Sequence, residues 1–335
     1  MLHSFQGSPN DGYFPFGAVV LDKQGNVYGT TSGGGTNNAG TVFELTPPAT
    51  SGGAWPEKLL LMFDGGAGGY SPQSKLVMDA AGNLYGTTFS GFSNGVVFEL
   101  VAPDTAGGPW AERILHVFAS PMDGANPQAG LLLRGGILYG TTYYGGMHGK
   151  GVVFRLVRKP GPWTETVLHS FTGIDGENPY AEVVSDSAGN LYGATTSGGT
   201  AACACGAVFE LSPPTASGDP WQETTLYSFT RHSDGLAPYS ALWRDKLGGL
   251  YGTVSRGGTD DAGKVFKLKP PTVAGGAWSY VVLHSFAFTG TYPSDGVTPL
   301  GTLILHNGAL YGATAGGGLL GSDGFSNGVV FSIVP

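Results

Sequence analysis

The apolar residues of this chain fall in short runs that are rich in Val, Leu, Phe and Tyr and are bounded by Gly, Asn, Pro or Asp. Short runs of β-branched and aromatic residues between turn-forming residues are typical of β-strands. No stretch shows the 3.6-residue spacing of apolar positions that marks an amphipathic helix. The pattern therefore predicts an all-β protein.

One four-part pattern occurs six times and fills the chain. Its most recognisable part reads Leu/Val-Tyr-Gly-Thr/Ala-Thr/Val, with successive tyrosines 53 to 60 residues apart. These tyrosines are Tyr28, Tyr85, Tyr139, Tyr192, Tyr251 and Tyr311. Repeat periods of this size mark solenoids, propellers or arrays. Because the six copies account for the whole length, residues 1–335 are predicted to form a single domain.

Each copy predicts four strands. They are a run after a proline (residues 179–184), a run after a Gly-Asn or Gly-Gly turn (190–193), a Val-Phe-Glu-Leu type run (208–211) and a Leu-His-Ser-Phe type run (168–171). Four antiparallel strands repeated six times predict a six-bladed β-propeller. The alternative is a β-solenoid, whose repeats are usually shorter.

The two ends of the chain predict how the ring of blades closes. Residues 2–5 resemble a fourth strand without a third, and residues 330–333 a third strand without a fourth. We expect the N-terminal strand to complete the last blade, which would remove exposed strand edges. The position two after each proline is always small, as the crowded innermost strands would require. Its residues are Gly17, Ser74, Ala129, Ala181, Ser240 and Gly301.

The Leu-Tyr-Gly-Thr-Thr, Gly-Gly and Val-Phe-Glu-Leu elements resemble the GloVer (Gloeo_Verruco) tandem repeat of secreted or surface-anchored bacterial proteins. The resemblance covers nearly the whole chain. It implies a bacterial extracellular propeller, located in the medium or at the cell surface. It implies no particular activity and no catalytic residues.

Composition narrows the class of protein further. The chain has 59 Gly, only 12% charged residues and a net charge of −8, which excludes a disordered chain and a coiled coil. The absence of a basic run argues against nucleic-acid binding. No apolar run reaches the ~20 residues of a membrane helix. We expect a monomer without a transmembrane segment.

Two kinds of loop are expected to share one face of a propeller, the loops from strand four to strand one and those from strand two to strand three. We call this surface the loop face. The first kind carries Asp-Gly-x-x-Pro, with Gly68 in place of Asp in the second copy. Its aspartates are Asp11, Asp123, Asp175, Asp234 and Asp295. A ring of aspartates could bind a cation or a glycan, but the favoured interpretation is that each caps its own turn.

Aromatic residues in these loops are the candidate ligand-binding residues, because exposed rings stack on sugars. The chosen set is Tyr13, Tyr70, Tyr143, Tyr144, Tyr180 and Tyr239. Further loop aromatics are Phe14, Phe16, Phe89, Phe92, Tyr292 and Phe325. The alternative is that many of them fold inward and pack between the loops.

The candidates for catalysis are charged residues that do not repeat. Lys75 and Glu182 follow the loop proline by three positions, and Asp175 and Glu177 lie close to Glu182 in sequence. Two carboxylates could serve a glycoside hydrolase, and Lys75 a lyase. A salt bridge or solvated channel residues is the alternative interpretation.

No metal or cofactor is predicted. Four histidines, His3, His116, His169 and His284, belong to the repeating fourth strand and are interpreted as structural, since their spacing matches no metal-site pattern. Cys203 and Cys205 leave three alternatives open, namely a soft-metal site, a local disulfide or two free thiols.

The favoured function is binding of a glycan or other surface polymer on the loop face. The alternatives are a polysaccharide hydrolase or lyase acting over the central channel, and a protein–protein interaction scaffold.

Overall fold

A computed structural model describes residues 1–335 except residues 92, 106, 159, 217, 232, 259, 274, 288–294 and 319–326. The described residues form β-strands and contain no helix. The chain divides into two compact halves, Met1–Leu168 and His169–Pro335, and each half is described by itself.

The first three repeats supply fourteen strands. The first repeat forms β1 (Gly12–Tyr13), β2 (Val20–Leu21), β3 (Val27–Thr31), β4 (Gly33–Gly34), β5 (Thr41–Leu45) and β6 (Glu57–Met62). The second forms β7 (Val77–Met78), β8 (Leu84–Thr88), β9 (Val96–Val101) and β10 (Ala111–Val117). The third forms β11 (Leu132–Arg134), β12 (Ile137–Thr142), β13 (Val152–Arg158) and β14 (Trp163–Ser170).

In the last three repeats, thirteen strands lie within the described ranges. The fourth repeat forms β15 (Glu177–Pro179), β16 (Val184–Ser185), β17 (Leu191–Ser197), β18 (Ala207–Ser212) and β19 (Gln222–Ser228). The fifth forms β20 (Trp243–Arg244), β21 (Leu250–Val254), β22 (Lys264–Lys269) and β23 (Ser279–Ser285). The sixth forms β24 (Val297–Pro299), β25 (Ile304–His306), β26 (Ala309–Gly316) and β27 (Val330–Ile333).

Each repeat forms one main antiparallel sheet, such as β7-β8-β9-β10 or β20-β21-β22-β23. In the first repeat the main sheet is β2-β3-β5-β6, and β1 pairs separately with β4. In the sixth repeat the sheet consists of β25-β26-β27, with β24 also paired to β26. Six such sheets are the blades of a six-bladed β-propeller, so the predicted fold class is confirmed.

The Gly of each Tyr-Gly pair makes room for an aromatic ring from the neighbouring strand. Gly86 lies opposite Phe98, and Gly252 opposite Phe266. A Cβ atom on Gly252 would lie 2.8 Å from Phe266 Cζ and 3.0 Å from Leu242 Cδ2. Strand two can therefore be buried on both faces only because this position has no side chain.

The same phenylalanines join neighbouring sheets within each half. The Phe that ends strand four packs edge-to-face on the strand-three Phe of the next sheet, with ring centroids 5.3 Å apart for Phe63 and Phe98 and 5.5 Å apart for Phe229 and Phe266. All four rings are buried. The core thus consists of separate apolar layers between adjacent sheets.

Residues 2–5 differ from the prediction in one respect, because no strand is assigned to them. Phe5 nevertheless packs on Phe43 with a centroid distance of 5.1 Å, the contact that a strand-four Phe makes elsewhere. The pairing of residues 2–5 with the last sheet stays a prediction, as does the single domain.

Strand one is shorter than predicted. It begins five residues after the proline, at Val20 after Pro15 and at Val184 after Pro179. The intervening residues bind side chains instead of a neighbouring strand, since Ser74 O accepts a hydrogen bond from Thr30 Oγ1 at 3.0 Å. At Gly17 the small residue is required by close packing, because a Cβ there would lie 2.5 Å from Ser74 O, whereas a Cβ on the equivalent Gly301 would meet nothing within 4 Å.

We expect Gly252→Ala to lower the free energy of unfolding by about 1–3 kcal/mol, because the added methyl group overlaps the ring of Phe266. Gly301→Ala is the matched control, since its Cβ would meet nothing within 4 Å. Urea denaturation of both variants checks the prediction. Equal free energies of unfolding for the two variants would show that Gly252 is not needed to make room for the ring of Phe266.

Candidate functional site

The two kinds of loop lie side by side within each sheet, as the sequence predicts. In the first half β1 pairs with β4, Tyr70 bridges Ser90, and Ala125 bridges Tyr144. In the second half β15 pairs with β17, and Leu236 bridges Arg256. Within each half, these paired loops form the loop face.

The residue before each loop proline has a left-handed backbone, with φ between 54° and 58°. These residues are Phe14, Ser71, Asn126, Asn178, Ala237 and Thr298. Such a conformation is costly for a residue other than Gly and persists only where the surroundings hold it. Ser71 illustrates how, since its N–H donates to Ala39 O at 2.8 Å and its carbonyl accepts from Phe89 N at 3.2 Å.

These bonds link the loops of neighbouring sheets. Ser71 reaches from the second sheet to the strand-two loop of the first, and Asn126 N donates to Asn94 O, reaching from the third sheet to the second, at 2.7 Å. The loops of the first three sheets therefore form one continuous, hydrogen-bonded surface.

Four aromatic side chains among the described residues of this surface are exposed to solvent. The exposed fractions are 61% for Phe14, 69% for Phe16, 42% for Tyr70 and 49% for Tyr144. The rings of Phe14 and Phe16 are nearly parallel, with an interplanar angle of 22° and centroids 5.7 Å apart. These four exposed rings come from the loops of three successive sheets, and we call them the aromatic row.

The other candidate tyrosines are half-buried against a second ring. Tyr13 packs edge-to-face on Phe14, and Tyr143 on Tyr144. The rings of Tyr180 and Tyr239 pack on each other with centroids 5.0 Å apart. Burial raises the pKa of Tyr180, and the nearby Tyr239 raises it further. These four tyrosines and Phe89 are half-buried, and their roles in ligand binding stay predictions. Phe92, Tyr292 and Phe325 lie outside the described residues.

Asp175 is held by its own turn. It accepts hydrogen bonds from Thr172 N, Thr172 Oγ1 and His169 Nε2, each at 2.8 Å. Burial raises the pKa of this carboxyl group, but the bonds from His169 and Thr172 outweigh burial and lower it below its usual value. These contacts support the capping interpretation of the loop aspartates.

The remaining catalytic candidates are also engaged by the protein. Lys75, Glu177 and Glu182 are half-buried, and each interacts with other protein groups. Glu177 is in β15, opposite Ser197 of β17. Their catalytic roles stay predictions.

A histidine and the loop aspartate form a pair in four repeats. The Nε2–Oδ2 distances are 3.3 Å for His3 and Asp11, 3.4 Å for His116 and Asp123, 2.8 Å for His169 and Asp175, and 3.1 Å for His284 and Asp295. These contacts agree with the structural interpretation of the histidines.

The other two repeats lack the histidine. In the fifth repeat Tyr227 takes the histidine position and donates to Asp234 at 2.8 Å. In the second repeat both positions change together, to Leu61 and Gly68.

Sequence reasoning missed a third member of this group, a glutamate two residues after the linker tryptophan. These glutamates are Glu57, Glu112, Glu165 and Glu223. Burial, with the nearby charge of Asp123, raises the pKa of Glu165 to about 7. Burial and the charge of Asp11 likewise raise the pKa of Glu57, although His3 opposes this. The recurring Trp-x-Glu pattern was the available signal.

Cys203 and Cys205 are joined by a disulfide bond. Of the three alternatives left open by the sequence, the structure therefore shows the local disulfide.

The sequence model of a protein family described as the Gloeobacter/Verrucomicrobia repeat matches residues 1–200 and 159–335 of this chain. The chain belongs to this repeat family, as the resemblance of its motifs indicates. No curated protein is detectably similar to it.

Several solved structures share the fold at low sequence identity. A protein of unknown function from Dyadobacter fermentans is 12% identical, with a TM-score of 0.51 over 94% of this chain and 93% of that one. The periplasmic gluconolactonase of Pseudomonas aeruginosa is 14% identical, with a TM-score of 0.51 over 96% and 89%. A luciferin-regenerating enzyme is 12% identical, with a TM-score of 0.51 over 97% and 92%. Such similarity supports the fold alone. Among the described residues, no helix is long and apolar enough to span a membrane.

We expect Asp175→Asn to destabilise the protein by about 1–3 kcal/mol at neutral pH, because it removes a charged hydrogen-bond acceptor. Since folding lowers the pKa of Asp175, its contribution is present above the unfolded-state value of about 4 and is lost as the pH falls. Melting temperatures measured from pH 7 to pH 3 should therefore converge for the two proteins.

Asp219→Asn, at an exposed turn in the same half, is the control and should leave the pH profile unchanged. A constant difference between the wild type and Asp175→Asn at every pH would contradict the assignment.

Proposed function

We propose that this protein is an extracellular binding protein that holds a glycan or a similar surface polymer on the loop face of its first three sheets. The observation that carries the proposal is the row of exposed rings formed by Phe14, Phe16, Tyr70 and Tyr144. Exposed aromatic surface grouped in one place marks an interaction site more often than scattered apolar residues do.

The chemistry of these rings favours a sugar polymer. The apolar faces of sugar rings stack on aromatic side chains, and the hydroxyl groups of Tyr70 and Tyr144 can exchange hydrogen bonds with sugar hydroxyls. The rings of Phe14 and Phe16 stack on each other and are both exposed, so a sugar can extend this stack. Since the rings come from three successive sheets, an extended polymer fits this surface better than a small ligand.

The loops that carry the rings are held before any ligand arrives. The left-handed residues Phe14, Ser71 and Asn126 lie within or beside this row, and the bonds of Ser71 and Asn126 fix neighbouring loops to one another. A surface ordered in advance loses less conformational entropy on binding. This rigidity supports a binding role for the row.

The proposed location outside the cell is supported by the disulfide of Cys203 and Cys205, because disulfides persist in oxidising compartments. It also agrees with what the resemblance to secreted or surface-anchored repeat proteins implies.

Affinity electrophoresis in gels containing neutral polysaccharides tests the proposal. Removing two stacking rings at about 1 kcal/mol each should weaken retention by at least tenfold. We expect this loss for Tyr70→Ala combined with Tyr144→Ala, and for Phe14→Ala combined with Phe16→Ala. Tyr70→Phe with Tyr144→Phe should retain most of the binding.

Leu21→Ala is the matched control, since Leu21 is 60% exposed but lies in β2, outside the loops. Full retention by a variant lacking all four rings, with an unchanged melting temperature, would rule out the proposed surface. New oligosaccharides in the incubated samples, detected by mass spectrometry, would favour the enzyme alternative instead.

A further inference from the structure

We propose that His3, Asp11 and Glu57 form a binding site for a divalent transition-metal ion of the zinc type. This site is separate from the aromatic row and from the proposed polymer binding. Each residue offers one ligand atom, and the three atoms lie within 4.8 Å of one another. One imidazole nitrogen with two carboxylate oxygens is a ligand set that suits zinc.

The distances match those between ligands of one ion. Nε2 of His3 lies 3.3 Å from Oδ2 of Asp11 and 3.5 Å from Oε2 of Glu57. Ligands bound tetrahedrally to zinc at ~2.0–2.1 Å are separated from one another by about 3.3 Å. These two separations are therefore those that a shared ion would give, and all three ligand atoms lie within 4.8 Å of one another.

The same residues leave a polar atom without a partner. Oε1 of Glu57 is buried and receives no hydrogen bond from any described residue. A buried carboxylate oxygen without a donor is costly, and a bound cation would remove this cost. The adjacent carboxylate of Asp11 adds a second negative charge beside it.

The ligands are also oriented by their surroundings. Gln6 N donates to Oδ2 of Asp11 at 2.6 Å, and Gly12 N donates to Oδ1. The ring of His3 packs edge-to-face on Phe5 at 4.8 Å. Outer contacts of this kind fix ligand geometry at metal sites.

The site opens into a cavity of about 420 Å³ lined by His3, Asp11, Glu57 and residues 6–10. With three protein ligands and an open side, an ion here would keep a position for water or an external ligand.

The equivalent residues of two other repeats differ from His3, Asp11 and Glu57 in their contacts. His169 and Asp175 are 2.8 Å apart, a hydrogen-bond distance, and Glu223 accepts a bond from Thr225 Oγ1. That group is satisfied without an ion. His116 Nε2 and Glu165 Oε1 are also buried without a hydrogen-bond partner among the described residues. These residues and Asp123, however, do not form a three-ligand group of the same span within that part of the chain.

Isothermal titration of zinc into the chelator-treated chain, without a polyhistidine tag, tests the inference. We expect one ion per chain, with affinity reduced at least tenfold by Glu57→Gln and by His3→Gln. Calcium should bind more weakly than zinc, because it prefers oxygen ligands. Glu57→Gln removes a charge beside Asp11, so the variant should fold at least as stably as the wild type.

Glu165→Gln is the matched control, since it changes the equivalent glutamate of the third sheet and should leave zinc affinity unchanged. Zinc affinity retained in both Glu57→Gln and His3→Gln would place the ion elsewhere and overturn the inference. A titration without zinc binding would overturn it as well. Polysaccharide retention of the zinc-free chain, measured in parallel, reports on the proposed polymer binding independently.

Discussion

The left-handed residue before each loop proline is the constraint on which the loop face depends. Proline fixes its own φ and restricts the residue before it, so the chain has few ways to turn at this point. At Ser71 and Asn126 the turn is held by backbone hydrogen bonds to two different loops. The position of each of these loops therefore depends on its neighbour, and the backbone that carries the aromatic side chains is held in place. A binding surface made of loops gains in this way the rigidity of the sheets beneath it.

Much of the fold could be predicted because the same four-strand pattern occurs six times in the sequence. The Tyr-Gly and Val-Phe-Glu-Leu runs identify strands two and three, and the structure places them in adjacent, paired strands in every repeat. Strand one was predicted too long, because its first residues bind the hydroxyl group of Thr30 or its equivalent and not a strand. An apolar run after a proline does not distinguish these two environments.

The site could be predicted less well, because exposure depends on neighbours that are distant in sequence. Tyr70 and Tyr13 occupy similar loop positions, yet Tyr13 has the ring of Phe14 to pack against and Tyr70 is exposed. Glu57 was missed for the same reason, since its partners His3 and Asp11 lie more than 40 residues earlier, in the N-terminal segment and the first loop. Comparing the repeats with one another, position by position, would have shown both the Trp-x-Glu pattern and the paired change to Leu61 and Gly68.

The joint replacement at Leu61 and Gly68 has a consequence for how such a protein can diversify. The second sheet keeps its strands, and its Phe98 still packs on the buried Phe63 of the first sheet, although Leu61 and Gly68 replace the histidine and the aspartate. Each repeat can thus lose or gain polar loop residues while the residues that form its strands and core are kept. After duplication of the repeat, substitutions in the loops of one blade could change the surface of the propeller without changing its fold.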